Sequence, residues 1–210
     1  MQFVSPNFFA VVPTLEMTKV AIAIGRNYFD KRLLKEFESK NHSILPKVSD
    51  FTEKAKGAYV AELYFRQIFS PQCSCLDLRS ASFDDQFHWN PQPLFWEFSH
   101  SFQTSLQRIY RGFYTDNHLE YSQGLKELDL EHAKDIFTKH FGGDRQEHVV
   151  FRLEDFKNTF QEIFASCLAH KKPLHREFVP FGIYLMCLYQ HLSKLNTSID
   201  VRGSFRKAVA

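Results

Sequence analysis

From Thr14, apolar residues recur at three- and four-residue steps (Leu15, Ala21, Ile22, Ile24, Tyr28, Phe29, Leu33, Leu34, Phe37). That is the spacing of one helical face, and it predicts a long amphipathic helix reaching about Lys40. Asn41 to Pro46 interrupts it, and Ser49-Asp50 offers an N-cap for a second helix carrying Phe51, Ala55, Ala58, Tyr59, Leu63, Phe65, Ile68 and Phe69. Gly57 inside that helix costs up to about 1 kcal/mol relative to Ala, which points to close packing there.

Ser70 to Pro93 has another rhythm, with prolines at 71, 91 and 93. Cys75-Leu76-Asp77-Leu78 alternates apolar with polar, and Phe83 to Trp89 repeats the alternation around Asp84-Asp85, predicting a small β-hairpin insertion around 75–90. After Pro93, a helix from Leu94 to about Tyr114 carries Phe95, Phe98, Phe102, Leu106, Ile109, Tyr110 and Phe113 on one stripe. Asn117 with Glu120 is a capping pattern for a short helix to about Leu128, and Leu130 to Phe141 forms another that stops at Gly142-Gly143. Leu153 to His170 follows. Phe178 to Leu195, apolar on nearly every side, reads as the most central helix, with Pro180 in its first turn. Asp200 caps a final helix, Val201 to Ala210, whose Arg202, Arg206 and Lys207 place it at the surface. The sum is an all-α, single-domain multi-helix bundle or orthogonal array across residues 1–210.

Composition agrees with a folded domain and adds one oddity. The chain has 210 residues, 44% hydrophobic and 24% charged, and 23 of them are Phe. Phe has no hydrogen-bonding handle, so this usage implies either a dry aromatic core or an apolar pocket or groove. A formal net charge of +2 lacks the basic field of a nucleic-acid binder. The longest strongly apolar stretch, Phe178 to Ser193, is shorter than the ~20 residues that cross a bilayer. Met1 to Leu15 has no basic n-region and is broken by Pro13, so it is a poor signal peptide. Cys73, Cys75, Cys167 and Cys187 are accordingly expected to be reduced thiols in a cytoplasmic protein.

Several chemistries lack their motifs. Neither G-x-x-x-x-G-K-[ST] nor G-x-G-x-x-G is written here, and no G-x-S-x-G elbow marks a nucleophilic serine. Cys73-Ser74-Cys75 fits neither a thioredoxin-like pair nor half a zinc knuckle. Two constellations remain. Phe87, His88, Trp89, Phe95 and Trp96 flank the proline-rich insertion, and an exposed aromatic cluster would bind a protein partner or an apolar small molecule without catalysis or cofactor. Alternatively, Glu97 and His100 form one Glu-x-x-His step, which on a helix puts both on one face, as in carboxylate-bridged di-iron bundles. With Glu62, Glu162 and His191 from other helices it would make an iron-dependent oxidoreductase, and His191 alone a haem ligand.

Overall fold

The computed structural model describes residues 10–12, 14–33, 35, 52–70, 73–78, 94–141 and 148–210. Their order is α1 (Thr14–Phe29), α2 (Glu53–Phe69), β1 (Ser74–Cys75), β2 (Phe95–Trp96), α3 (His100–Tyr114), α4 (His118–Glu127), a 3₁₀ turn (Glu131–Ala133), α5 (Lys134–His140), β3 (His148–Val150), α6 (Leu153–Ala169), α7 (Phe178–Leu195), β4 (Ser198–Asp200) and α8 (Val201–Val209). The fold is all-α with two antiparallel two-stranded sheets, β1–β2 and β3–β4.

Four of the helices, α2, α3, α4 and α8, begin where a side chain takes a first-turn amide proton. Thr52, Asn117 and Asp200 accept from Ala55, Glu120 and Gly203 respectively. Each satisfies an N–H that the helix itself leaves unpaired. Asn117 and Asp200 are the caps the sequence names, and α7 spans the residues expected of it. α2 starts at Thr52 rather than from Ser49-Asp50, residues that lie outside the described set. α1 is interrupted after Phe29, where Asp30 turns its carboxylate onto the Arg32 N–H, 2.9 Å away; residues 31–33 and 35 are helical again, and the expected end near Lys40 lies outside the described residues. Such local side-chain bonds compete with helix continuation.

The stretch expected to open α3 is strand instead. Phe95 and Trp96 pair with Cys75 and Ser74, and Leu76 N–H donates to Leu94 O at 2.8 Å. The helix therefore begins at His100, not Leu94. Ser99 caps it by accepting from Phe102 N–H. Ser99 is fixed in turn by Glu177, which accepts from its N–H and, at 2.8 Å, from its hydroxyl. The 75–90 insertion thus closes on residues 95–96; its expected second strand, 83–89, lies outside the described residues.

The most enclosed helix is α2, not α7. Seven consecutive residues, Tyr59 to Phe65, are buried, so α2 is covered on every side. Its polar side chains are matched within the core. Glu62 pairs with Arg66 at 2.8 Å. Gln67 accepts from Cys75 N–H at 2.7 Å and donates to Tyr184 Oη at 2.7 Å. Buried polar groups so satisfied are tolerated. Gly57 makes the close approach its position suggests: a Cβ there would stand 2.7 Å from Ile199 Cδ1.

Phe and Tyr rings fill the interior edge to face. Phe65 meets Tyr110, Tyr114 and Phe205, and Phe102 meets Phe178 and Phe181. Among the described residues most of the Phe and Tyr side chains belong to a packed core. α8 is also more buried than its charges predicted. Arg202 is only 7% exposed, donating to Tyr114 O at 3.0 Å and pairing with Asp116 at 3.2 Å.

Candidate functional site

α5, β3 and α6 border an open groove of ≈ 960 Å³ lined from α5 by Lys139 and His140, from β3 by residues 148–150, from Arg152 and α6 as far as Ala165, and by Tyr189 of α7. Volumes of this order are those of ligand clefts. β3 pairs with β4 in the register His148↔Asp200, Val149↔Ile199, Val150↔Ser198. Side chains alternate along a strand, so three successive residues lining one groove present the strand's edge to it.

The floor is a fixed hydrogen-bond chain. Thr159 donates its hydroxyl proton to Asp155 O at 2.9 Å, leaving Thr159 Oγ1 to accept from His140 Nδ1–H at 3.1 Å. His140 Nε2 is then the acceptor, taking the Tyr189 O–H at 3.2 Å. The two rings are stacked at 5.6 Å and 21°. Burial lowers His140 from 6.5 to about 4, and burial raises the Tyr189 phenol, so both are neutral near pH 7. With both nitrogens committed and so low a basicity, His140 is a structural donor–acceptor rather than a general base.

This neutral histidine has a thermodynamic consequence. Its folded value lies below its unfolded one, so the unfolded chain takes up a proton that the folded chain does not as pH falls through 6.5 toward 4. The stability it confers is complete above 6.5 and lost below. Burial lowers His132 and His175 in the same direction. Between pH 7 and 5, His140 should account for a loss of about 1–2 kcal/mol, discounted for the part of the ring that meets the groove. Urea unfolding at the two pH values should show a smaller pH slope in His140→Asn than in the wild type; equal slopes would refute this account.

The walls differ from the floor. Arg152, Asp155, Asn158, Gln161 and His148 are exposed. Among the described residues their side chains make no hydrogen bond or ion pair; Lys139–Glu162, at 3.6 Å, joins α5 to α6 in addition to the His140–Thr159 bond. Behind the floor are cavities of ≈ 40 and ≈ 20 Å³, walled chiefly by Tyr, Phe and Leu and large enough for water only.

No family model, curated protein or solved structure matches this chain.

The residues singled out by sequence lie elsewhere. Phe95 is 0% exposed, and its carbonyl accepts from Asn27 at 2.9 Å. Trp96 is half-buried, its Nε1 enclosed and without a hydrogen-bond partner among the described residues. Phe87, His88 and Trp89 lie outside the described residues. Glu97 precedes α3 and His100 begins it, so the two do not share a helical face as expected; both are exposed. Glu62 is engaged by Arg66, Glu162 by Lys139, and His191 stands near the end of α7. Among the described residues no group of three or more His, Cys, Asp or Glu is placed to hold a metal ion.

Two other groupings resemble chemistry and do not support it. Ser166 Oγ lies 2.8 Å from His132 Nδ1, but the serine O–H donates to His132 O at 3.2 Å. The oxygen therefore accepts from Nδ1–H, the wrong polarity for base activation. No disulfide joins the cysteines, and burial raises the Cys75 thiol and pushes Cys167 up to about 11, so both remain protonated and unreactive.

Proposed function

We propose that the protein is a non-catalytic binding domain whose groove between α5, β3 and α6 receives an extended segment of a protein partner. The observation that carries this reading is the division of labour inside the groove. Its floor, His140, Tyr189 and Thr159, is saturated and neutral, whereas one wall bears Arg152, Asp155, Asn158 and Gln161 with unused hydrogen-bonding capacity. The other wall is a strand whose second edge pairs with no strand among the described residues. An extended chain matches that edge through its main chain and the α6 wall through its side chains. A lining as much polar as apolar, and core cavities too small for a ligand, favour a peptide over an apolar small molecule.

Selection from a random peptide library tests this. Enriched peptides should bind the wild type and lose at least tenfold in affinity to Arg152→Ala with Asn158→Ala, exposed positions whose change leaves the circular dichroism spectrum unaltered. Peptides indifferent to both changes would refute the groove. Stoichiometric iron in protein purified without chelator would restore the oxidoreductase reading.

A further inference from the structure

α1 is apolar on two opposite faces. Val20 is 4% exposed, and Met17, three residues before it, packs against the core. On the other side Leu15, Ile22 and Phe29, seven residues apart, stand 66%, 52% and 80% exposed. At 100° per residue these three lie within about 20° of one line pointing directly away from the body, where an ordinary surface helix carries polar groups. One flank of the line carries Lys19 and Arg26, and Lys31 and Lys35 stand exposed on the helical residues that resume after Asp30. Among the described residues Arg26, Lys31 and Lys35 make no ion pair.

We infer that this outer face of α1 is a docking surface for an anionic lipid membrane. Two features select that occupant. A helical partner needs a second apolar position in every heptad to complete knobs-into-holes packing. Here that position falls on Thr18 or Lys19 and on Gly25 or Arg26, and beside Gly25 there is nothing within 4 Å of where a Cβ would be. A single row of large side chains cannot interdigitate with another helix, but it can sink into a fluid interface that requires no matching holes. The uncommitted cations beside that row complement phosphate and carboxylate headgroups, their stems lying along the apolar boundary while the charges reach outward. The helix lies in the interface; no described helix is long and apolar enough to cross a bilayer.

Sedimentation with vesicles decides the matter, using phosphatidylcholine alone and phosphatidylcholine containing about one-third phosphatidylserine. The full chain should bind the anionic vesicles at least tenfold more tightly and release them as salt is raised. Ile22→Asp with Phe29→Asp should abolish binding. Arg26→Ala, Lys31→Ala and Lys35→Ala should each weaken it by about fivefold. The alanine variants retain α1, so they decide the question if the aspartate variant fails to fold. Equal binding to neutral and anionic vesicles, binding to neither, or a dimer that Ile22→Asp dissociates would overturn the inference, the last by assigning the face to a second copy of the chain.

Discussion

Gly112→Ala is expected to destabilise the protein by about 3 kcal/mol, although alanine is the better helix former by about 1 kcal/mol. The loss arises where α3 and α4 cross. A Cβ on Gly112 would stand 2.2 Å from Tyr121 N, 2.6 Å from Tyr121 Cα and 2.9 Å from Asn117 O. These are main-chain atoms, and no side-chain rotation relieves the clash. The turn between the helices is also pinned, because Asn117 N–H donates to Gly112 O at 2.8 Å while its side chain caps Glu120. Gly124 repeats the contact from α4, with Ser105 O at 2.8 Å. Two other glycines calibrate the result. At Gly57 the obstacle is the Ile199 side chain, which can rotate, so Gly57→Ala should cost about 1 kcal/mol. At Gly25 nothing lies within 4 Å, so Gly25→Ala should be neutral or stabilising by up to about 1 kcal/mol. Urea midpoints should fall in the order Gly25→Ala, Gly57→Ala, Gly112→Ala. Wild-type stability in Gly112→Ala would mean that α3 and α4 do not cross there.

What could be read from sequence divides along the range of the interactions involved. Asn117, Asp200 and the limits of α7 were legible because a cap acts within three residues and an apolar helix carries its own pattern. Strand 95–96 was not. Its strand partners are 20 and 22 residues earlier, and the stripe through Phe95 and Phe98 has helical spacing whether or not the chain is helical there. Arg202 was misplaced because a guanidinium reads as surface until a distant carbonyl and carboxylate receive it. The ends of α3, α4 and α6 fall where the apolar pattern puts them, near Tyr114, Leu128 and His170, although the usual terminal signal is missing. α3, α4 and α6 finish on Asp116, Asp129 and Lys171 with φ near +55°, positions where glycine is the usual signal. The groove was invisible in a different way. Asp155, Asn158 and Glu162 form the polar face of an amphipathic helix, and nothing in that spacing distinguishes a binding wall from a solvated one. His140 stood as one of ten scattered histidines, and its Tyr189 partner lies 49 residues away.

Phe205→Ala should cost about 3–5 kcal/mol, the range for truncating an enclosed aromatic ring. Phe205 is 1% exposed and sits among Phe65, Phe69 and Tyr114, with ring centroids 5.4, 5.7 and 4.9 Å away. It is the main anchor of the nine-residue α8, a helix too short to persist without tertiary packing. One turn earlier on the same face, the Arg202 guanidinium lies 5.6 Å from the Phe113 ring and 5.9 Å from that of Tyr114. Arg202→Ala should cost about 2–3 kcal/mol, since it strands the Tyr114 carbonyl beneath the helix. Asp116→Asn should cost at most about 1 kcal/mol, because that carboxylate is 67% exposed and water replaces its partner. Both large effects pass through Tyr114, so the double variant should lose less than the sum of the two single losses. Phe205→Leu, which keeps most of the volume, should recover more than half of the stability lost in Phe205→Ala. A Phe205→Ala protein that unfolds at the wild-type urea concentration would show that α8 rests on the core without contributing to it.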